Sequence, residues 1–458
     1  MLTWPAPKSL WLSELGPIVP ADQVTSDLDY DVAIAGAGFT GLWTAYYLKK
    51  SDPSLRIGVF EAKFAGFGAS GRNGGWASAL FASSKSKVAR LYGADAAKRL
   101  YRSLAESIDE IGKVVASEDI DADFHKGGTL FLARNQAQLE RLGQELETER
   151  SFGFGEEDFR LLGAVEAKER IGASDVLGAG FTSNCARIHP AKLARGLRDV
   201  VVGLGVRVHE ASVVTSIGPD GMEVNGCKVR AGAMIDALEG YRSSLRGGSR
   251  FTVPVYSLMI ATEPLDDDLI EAVGLRDFET FADERHLIIY GQRSADNRIV
   301  FGGRGAPYHF ASGISPSFDK DESVFAHLAE ALVELMPALS GVQVTHSWGG
   351  PLGVPRDFFS SVAFDRGTGM GYAGGYVGDG VTTTNLAGRI LADLIRGVRS
   401  DVTDLCIVGH PRKPWEPEPF RYLGINAGLR MAGAVDAAEW RGRPAPWYSG
   451  ILLSMIGQ

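Results

Sequence analysis

The chain has 458 residues, of which 45% are hydrophobic and 22% charged, and its formal net charge is −9 at pH 7. This length predicts two or three domains, and the acidic balance argues against nucleic acid as a partner. No apolar run is long enough for a membrane span, and the first twenty residues lack the apolar centre of a signal peptide. Three cysteines without metal-type spacing, Cys185, Cys227 and Cys406, indicate free thiols and a cytoplasmic location.

Hydrophobic periodicity predicts strands and helices along the whole chain. Helices are predicted over residues 42–48, 88–117, 136–152, 190–202, 323–336, 381–398 and 422–440. Strands are predicted over residues 32–35, 56–60, 124–133, 206–214, 229–237, 254–261, 286–291, 298–303 and 370–373. This alternation favours an α/β unit joined to an α+β unit.

The first strand and helix carry a dinucleotide-binding pattern. Three glycines between them have G-x-G-x-x-G spacing: Gly36, Gly38 and Gly41. They allow a tight turn, close approach of a pyrophosphate to the backbone, and close packing of helix on sheet. Free N–H groups at the helix N-terminus attract phosphate. Glu61 ends the next strand, where an acid accepts hydrogen bonds from ribose hydroxyls.

A second glycine-rich loop, residues 66–75, follows this acid. A nicotinamide enzyme does not need such a loop, whereas FAD follows a longer path and its ribityl chain and second phosphate need cover. The chain resembles the FAD-dependent oxidoreductases of the D-amino-acid oxidase and glycine/sarcosine oxidase superfamily, and within it the gamma-glutamylputrescine oxidase-like branch. Six segments in family order carry the resemblance: residues 36–41, 68–75, 261–265, 301–304, 348–350 and 372–380.

The resemblance implies a discontinuous domain organisation. An α/β FAD-binding domain with a Rossmann-like parallel sheet is expected to join an α+β substrate domain with an antiparallel sheet. The FAD-binding domain is expected to comprise residues 29–90, 183–247 and 342–400, and the substrate domain residues 91–182 and 248–341. Residues 1–28 would form an arm pinned by Trp4 and Trp11, and residues 401–458 a C-terminal helical extension.

The resemblance also implies how FAD is held. Some relatives carry the flavin on a cysteine, but residues 351–366 contain none, so non-covalent FAD is expected. Relatives clamp the adenine with backbone groups at a position that corresponds to Val213 and Val214. The full set of expected FAD contacts is Gly36, Gly38, Phe39, Thr40, Gly41, Glu61, Ala62, Ser70, Arg72, Asn73, Gly74, Gly75, Val213, Val214, Gly350, Gly375, Gly378, Asp379, Gly380, Val381 and Thr382.

Asp379 departs from the family, which often has Gly-His-Gly where this chain has Gly-Asp-Gly. Its carboxylate could face the flavin and lower its potential, cap the following helix, or receive a substrate cation. The cap, with N–H groups of Val381 or Thr382 as donors, is favoured because Asp is a common N-cap. Negative charge beside reduced flavin would be costly.

Four aromatic residues are candidates for the substrate side, or ordinary core residues: Trp76, Tyr256, Tyr290 and Trp348. Arg304, at the end of a predicted strand, is suited to a bidentate pair with a substrate carboxylate or to a domain surface. His286 is taken as a satisfied, non-catalytic histidine.

The expected function is FAD-dependent oxidation of an amine or amino acid, with hydride transfer to the flavin. The imine formed would hydrolyse to a carbonyl compound, and this chemistry does not strictly need a catalytic base. A nicotinamide-dependent dehydrogenase and a flavin-binding assembly protein without turnover are the alternatives. Predicted strand 298–303 has no lysine of the kind that some oxidases of the superfamily use to activate oxygen. Molecular oxygen and another electron acceptor therefore both stay open.

Overall fold

The computed structural model describes residues 9–246, 250–303, 305–443 and 446–449. Its helices are α1 Leu10–Glu14, α2 Phe39–Ser51, α3 Lys85–Tyr92, α4 Ala94–Ser117, α5 Gln136–Ser151, α6 Ala164–Arg170, α7 Pro190–Gly203, α8 Asp267–Val273, α9 Glu322–Leu335, α10 Gly380–Arg396 and α11 Phe420–Trp440. Its strands are β1 Leu28–Ala35, β2 Ile57–Phe60, β3 Trp76–Ser78, β4 Thr129–Ala133, β5 Arg160–Gly163, β6 Gly178–Thr182, β7 Cys185–Arg187, β8 Arg207–His209, β9 Val214–Gly218, β10 Gly221–Val224, β11 Cys227–Asp236, β12 Thr252–Thr262, β13 Thr280–Asp283, β14 Ile289–Arg293, β15 Ile299–Gly303, β16 Val344–Pro355, β17 Ser361–Asp365 and β18 Met370–Gly374.

The first sheet has the strand order β17-β18-β11-β1-β2-β8, with the hairpin β9–β10 joined to β11. Strands β18, β11, β1, β2 and β8 run parallel, and β17 is antiparallel to β18. Ala35 of β1 is in register with Phe60 of β2 and Asp236 of β11. The carboxyl ends of these strands therefore meet at one edge, which is where open α/β sheets bind ligands.

The second sheet has the order β16-β12-β15-β14-β13-β4-β6-β5. It is antiparallel except for the parallel pair β13–β4. In the long pair β12–β16, Ser257 lies opposite Gly350. The predicted α/β and α+β architecture is confirmed, whereas the exact domain boundaries stay a prediction.

Two predicted elements are wrong in detail. The predicted helix over 88–117 is two helices, α3 and α4, because Gly93 has a φ of +90°, which no α-helix accommodates. The predicted strand over 206–214 stops at His209. Beyond it the fully buried Glu210 accepts hydrogen bonds from the N–H groups of Ala21 and Ala65 and pairs with Arg195. These partners turn the chain out of the sheet.

Side chains near both ends of the described chain contact the body of the protein. Trp11 is 2% exposed and packs edge-on against Trp348, with ring centroids 6.4 Å apart. Trp4 lies outside the described residues. Asp436 of α11 accepts the N–H groups of His286 and Leu287. Within the described part of the chain, no helix is both long and apolar enough to cross a membrane.

Helices α2 and α10 pack through a glycine. A Cβ atom on Gly388 of α10 would lie 2.6 Å from Cβ of Trp43 and 2.9 Å from the backbone N of Thr44, both on α2. Close packing of these two helices therefore requires a residue without a side chain at position 388.

We expect Gly388→Ala to destabilise the protein by roughly 1–3 kcal/mol, the usual cost of overpacking, although alanine favours helix. Gly143→Ala in α5 is the matched control, since a Cβ there would meet nothing within 4 Å. That change should stabilise by roughly 0.5–1 kcal/mol. Thermal unfolding midpoints measure both, and equal shifts in the two variants would contradict the packing argument.

Candidate active site

Two cavities meet at the carboxyl edge of the first sheet. We call one the cofactor groove; its lining includes Gly36, Phe39, Glu61, Val214 and Tyr376. We call the other the substrate cavity; its lining includes Trp76, Met259, Tyr290 and Asp379. The residues that line both are Ala69, Asn73, Leu352, Gly378 and Val381. A molecule that fills the groove therefore reaches the substrate cavity.

Most of the predicted site residues lie along these two cavities. Those in the groove are Gly36, Gly38, Phe39, Thr40, Glu61, Ala62, Ser70, Asn73, Val213, Val214, Gly378, Gly380 and Val381. Those in the substrate cavity are Arg72, Asn73, Gly74, Trp76, Tyr290, Gly350, Gly378, Asp379 and Val381. The predicted residues that line neither are Gly41, Gly75, Tyr256, Trp348, Gly375 and Thr382. Arg304 lies outside the described residues.

Glu61 occupies the end of the groove that β2 and the 210–214 loop form. Its carboxylate accepts hydrogen bonds from the N–H groups of Ala37 and Lys63, each at 3.1 Å. Burial raises the pKa of Glu61, and the nearby carboxylate of Glu210 adds to the rise. The acid is thus fixed by the backbone and projects beside Val213 and Val214.

The first glycine motif leaves no room for side chains. Gly36 has a φ of +103°, and a Cβ on it would lie 2.7 Å from the carbonyl O of Ala237. A Cβ on Gly41 would lie 2.0 Å from the carbonyl O of Gly36. Gly41 therefore acts on the turn itself rather than on the cavity surface, which is the packing role the spacing predicts.

The second glycine loop is held from outside by three side chains. Nε1 of Trp348 donates to the carbonyl O of Arg72 at 2.8 Å. Nε1 of Trp11 and Nε2 of Gln292 donate to the next two carbonyls, at 2.9 and 2.7 Å. Trp348 is 2% exposed and lies behind the loop rather than on the cavity surface. Trp348 therefore supports the loop from behind and does not form part of the wall of the substrate cavity.

Arg72 connects this loop to three segments that are distant from it in sequence. Its guanidinium donates to Asp319 at 2.7 Å, to the carbonyl O of Gly349 at 3.0 Å, and to the hydroxyl of Tyr241 at 2.7 Å. Its Nε is buried and has no partner among the described residues. A Cβ on Gly350 would come within 3.4 Å of the guanidinium carbon.

An aromatic pair forms one wall of the substrate cavity. Trp76 and Tyr290 meet edge to face, with ring centroids 5.9 Å apart. The hydroxyl of Tyr290 is 3.1 Å from Oγ of Ser257. Nε1 of Trp76 is buried and has no partner in the part of the chain that the structure describes. By contrast, Tyr256 is 1% exposed and lines neither cavity, so it is an ordinary core residue.

The predicted cap at Asp379 is wrong. Asp379 is at the N-cap position of α10, but its side chain accepts no hydrogen bond from the first turn of the helix. Its backbone, with φ −89° and ψ 42°, lacks the extended conformation that aims a cap side chain at the helix N–H groups. The residue lines the substrate cavity instead.

Glu239 is a site residue that sequence reasoning missed. Its carboxylate lines the groove and accepts the N–H groups of Gly375 and Tyr376, at 3.1 and 3.0 Å. Burial raises the pKa of Glu239 to about 7. The available signal was the acid itself, in a turn where the resembling family has an Ala-Thr-Gly or Ala-x-Asn-Ala sequence.

Comparisons with known proteins agree with this geometry. Residues 31–394 match the family DAO, described as FAD dependent oxidoreductase. The chain is 32% identical over 381 residues to the probable oxidoreductase OrdL of Haemophilus influenzae, covering 80% of this chain and 83% of that protein. It is 30% identical over 400 residues to gamma-glutamylputrescine oxidoreductase of Escherichia coli, covering 85% and 89%. Glycine oxidase from Geobacillus kaustophilus has the same fold, with a TM-score of 0.70, 20% identity, and coverage of 84% of this chain and 100% of that one.

The chain belongs to the DAO family of FAD-dependent oxidoreductases, and its cofactor is FAD rather than a nicotinamide. The groove fits this cofactor. Its first turn has no space for a side chain at Gly36 or Gly41, and an acid stands at the end of β2. Two buried donors that have no partner among the described residues, Nε of Arg72 and Nε1 of Trp76, belong to residues that line the substrate cavity.

We expect Glu61→Ala to weaken FAD binding by about 1–3 kcal/mol, the cost of leaving hydrogen-bonding groups unpaired. The FAD dissociation constant, followed by flavin fluorescence, measures this loss. Glu169→Ala, on the exposed surface of α6, is the matched control and should bind FAD normally. Equal affinity in both variants would contradict the role of Glu61. Acid precipitation of the wild type should release free FAD, as expected for non-covalent binding.

We expect Glu239 to make the protein less stable as pH rises. The folded state holds its proton up to a pKa of about 7, against an ordinary value of 4.5, so folding favours the protonated acid between these pH values. Glu239→Gln should remove about 1–3 kcal/mol of this pH dependence. The free energy of unfolding of the FAD-free protein, determined between pH 4.5 and 7, measures this pH dependence. Glu169→Gln is the control. Parallel pH curves for wild type and Glu239→Gln would argue against it.

Proposed function

We propose that this enzyme oxidises an amine or an amino acid. FAD, when bound, accepts a hydride from the carbon that carries the nitrogen, and the imine formed hydrolyses to a carbonyl compound. The observation that carries the proposal is the junction of the two cavities. Asn73, Gly378 and Val381 line both, so a substrate beside Trp76 and Tyr290 lies where the groove ends.

The relatives support a nitrogen-bearing substrate. The Escherichia coli relative is named a gamma-glutamylputrescine oxidoreductase, and the chain shares the fold of glycine oxidase. Substrates of this kind present an amine next to the carbon that is oxidised. The substrate cavity has room for such a group between an aromatic wall and charged side chains.

The chain's own residues would bind and orient the amine. Trp76, Met259 and Tyr290 give the cavity an apolar surface, which disfavours the charged form of a nearby amine. A neutral amine keeps the lone pair that hydride transfer from the adjacent carbon requires. The buried Nε1 of Trp76 is a donor available to the substrate or the cofactor. No general base is needed in this scheme.

We expect an amine or amino acid to bleach the oxidised flavin when it is added without oxygen. A panel of primary, secondary and acidic amines, with the matching alcohols as controls, measures this by flavin absorbance and by carbonyl product. If dithionite reduces the flavin and no amine does, the protein is a flavin-binding protein without turnover. Reoxidation by air-saturated buffer or only by an artificial acceptor then separates an oxidase from a dehydrogenase.

Trp76→Phe and Tyr290→Phe should slow this reduction more than they weaken FAD binding. Both side chains line the substrate cavity and not the groove, and both changes keep the aromatic ring. Anaerobic stopped-flow measures the reduction rate. Normal rates in both variants would place the reacting amine elsewhere.

A further inference from the structure

Part of the substrate cavity is charged. The helix α5 and the segment that follows β13 contribute six charged or titratable side chains to its lining: Arg141, Glu145, Asp283, Glu284, Arg285 and His286. These residues surround the same space as Trp76 and Tyr290, so one molecule can contact both parts. The charges in this lining therefore bear on which substrate the cavity binds.

Each cation in this lining already has an acidic partner. The guanidinium of Arg141 donates twice to the carboxylate of Glu439, at 2.9 and 2.8 Å. Arg285 donates to Asp283 at 2.6 Å. His286 lies 3.2 Å from the carboxylate of Glu439. These positive groups are therefore neutralised within the protein.

Glu145 and Glu284 differ from these groups in their hydrogen bonding. Neither carboxylate has a hydrogen-bond donor among the described residues. Burial raises the pKa of both, and a nearby carboxylate adds to each rise: that of Glu149 at Glu145, and that of Glu145 at Glu284. The opposing cations are Lys85, which bonds to Glu149, and Arg141, which is bound to Glu439.

Two partly buried carboxylates that line one cavity are costly, because each loses part of its hydration and the charge of Glu145 opposes that of Glu284. The pair can relieve the cost by keeping a proton or by binding a cation. A ligand cation would satisfy both carboxylates at once, and the cavity supplies the path by which it reaches them.

A metal ion is a poorer occupant. The neighbouring group with metal-like geometry consists of His286, Asp436 and Glu439. Its acids already accept hydrogen bonds from Arg141 and from two backbone N–H groups. Glu145 and Glu284 are not members of this metal-like group. An organic cation that enters through the cavity is therefore the better candidate to bind them.

We propose that Glu145 and Glu284 bind a second, cationic group of the substrate. The substrate class is then an amine that carries a positive charge several bonds from the nitrogen that is oxidised, such as a diamine. The inference rests on the proposed function, since the oxidised amine lies at the aromatic wall. Glu145 and Glu284 are specificity residues that hold the opposite end.

The test compares two amines of equal size on the holoenzyme. 1,4-Diaminobutane and pentylamine have the same number of non-hydrogen atoms, but the first ends in an ammonium group and the second in a methyl group. At pH 7 the wild type should show a kcat/KM about 10-fold or more higher for the diamine, as expected for a cation beside buried acids. The preference should appear in KM more than in kcat.

Glu145→Gln and Glu284→Gln should each reduce this preference about 10-fold, and the double variant should abolish it. Oxidation of pentylamine should fall less than that of the diamine, because pentylamine has no second cation for these acids to bind. Glu147→Gln, exposed on the same helix, is the matched control and should keep the wild-type preference. A normal flavin spectrum in each variant shows that folding and FAD binding are intact.

The outcomes separate this inference from the proposed function. If pentylamine and the diamine are oxidised equally well and the Gln variants change neither, the cation-binding role is overturned while amine oxidation stands. If neither amine nor any other amine reduces a flavin that dithionite reduces, the proposed function itself fails. A diamine preference that survives in the double Gln variant also overturns the assignment to these two acids.

Discussion

The site depends on the buried guanidinium of Arg72. Its side chain is 8% exposed, and its donors reach Asp319, the β16 carbonyl of Gly349 and the hydroxyl of Tyr241. A buried cation is tolerated only when its partners are complete, and removing one partner costs about 3–5 kcal/mol. These partners come from three separate segments of the chain, so one charge ties them to the loop whose residues Ala69 and Asn73 line both cavities.

The loop that carries Arg72 has little internal structure and is made rigid from behind. Successive carbonyls accept hydrogen bonds from Trp348, Trp11 and Gln292. All three donors are buried or nearly so, and each comes from a different element. A loop braced in this way keeps its glycine surface free for close approach of a cofactor, and it costs no reorganisation when the cofactor binds.

Acidic groups mark three places along the two cavities, each in its own environment. Glu61 and Glu239 are held by backbone N–H groups in the cofactor groove. Glu145 and Glu284 line the substrate cavity, where neither carboxylate has a hydrogen-bond donor among the described residues. Backbone N–H groups fix the position of the first two acids, although burial raises the pKa of both. The second environment has no such donors and leaves the pair dependent on a proton or a cation.

Much of the cofactor groove follows from sequence, because its determinants are local. The spacing of Gly36, Gly38 and Gly41 and the position of Glu61 require only a strand, a tight turn and a helix, and these are set by neighbouring residues. The hydrophobic periodicity of the helices and strands is also a local feature, so most of these elements are predicted from the sequence. The break at Gly93 was missed because a glycine interrupts a helix only when its φ is positive, which sequence does not display.

The sequence by itself determined the fold class, the FAD cofactor and the first glycine turn. Only the tertiary structure decided which distant side chains share a surface. Trp348 was expected on the substrate side, yet it braces the second loop, and Asp379 was expected to cap α10, yet it lines the substrate cavity. Glu145 and Glu284 lie far apart in the chain and carry no motif. Their meeting depends on how α5 packs beside the segment after β13, which is a long-range contact that local patterns do not encode.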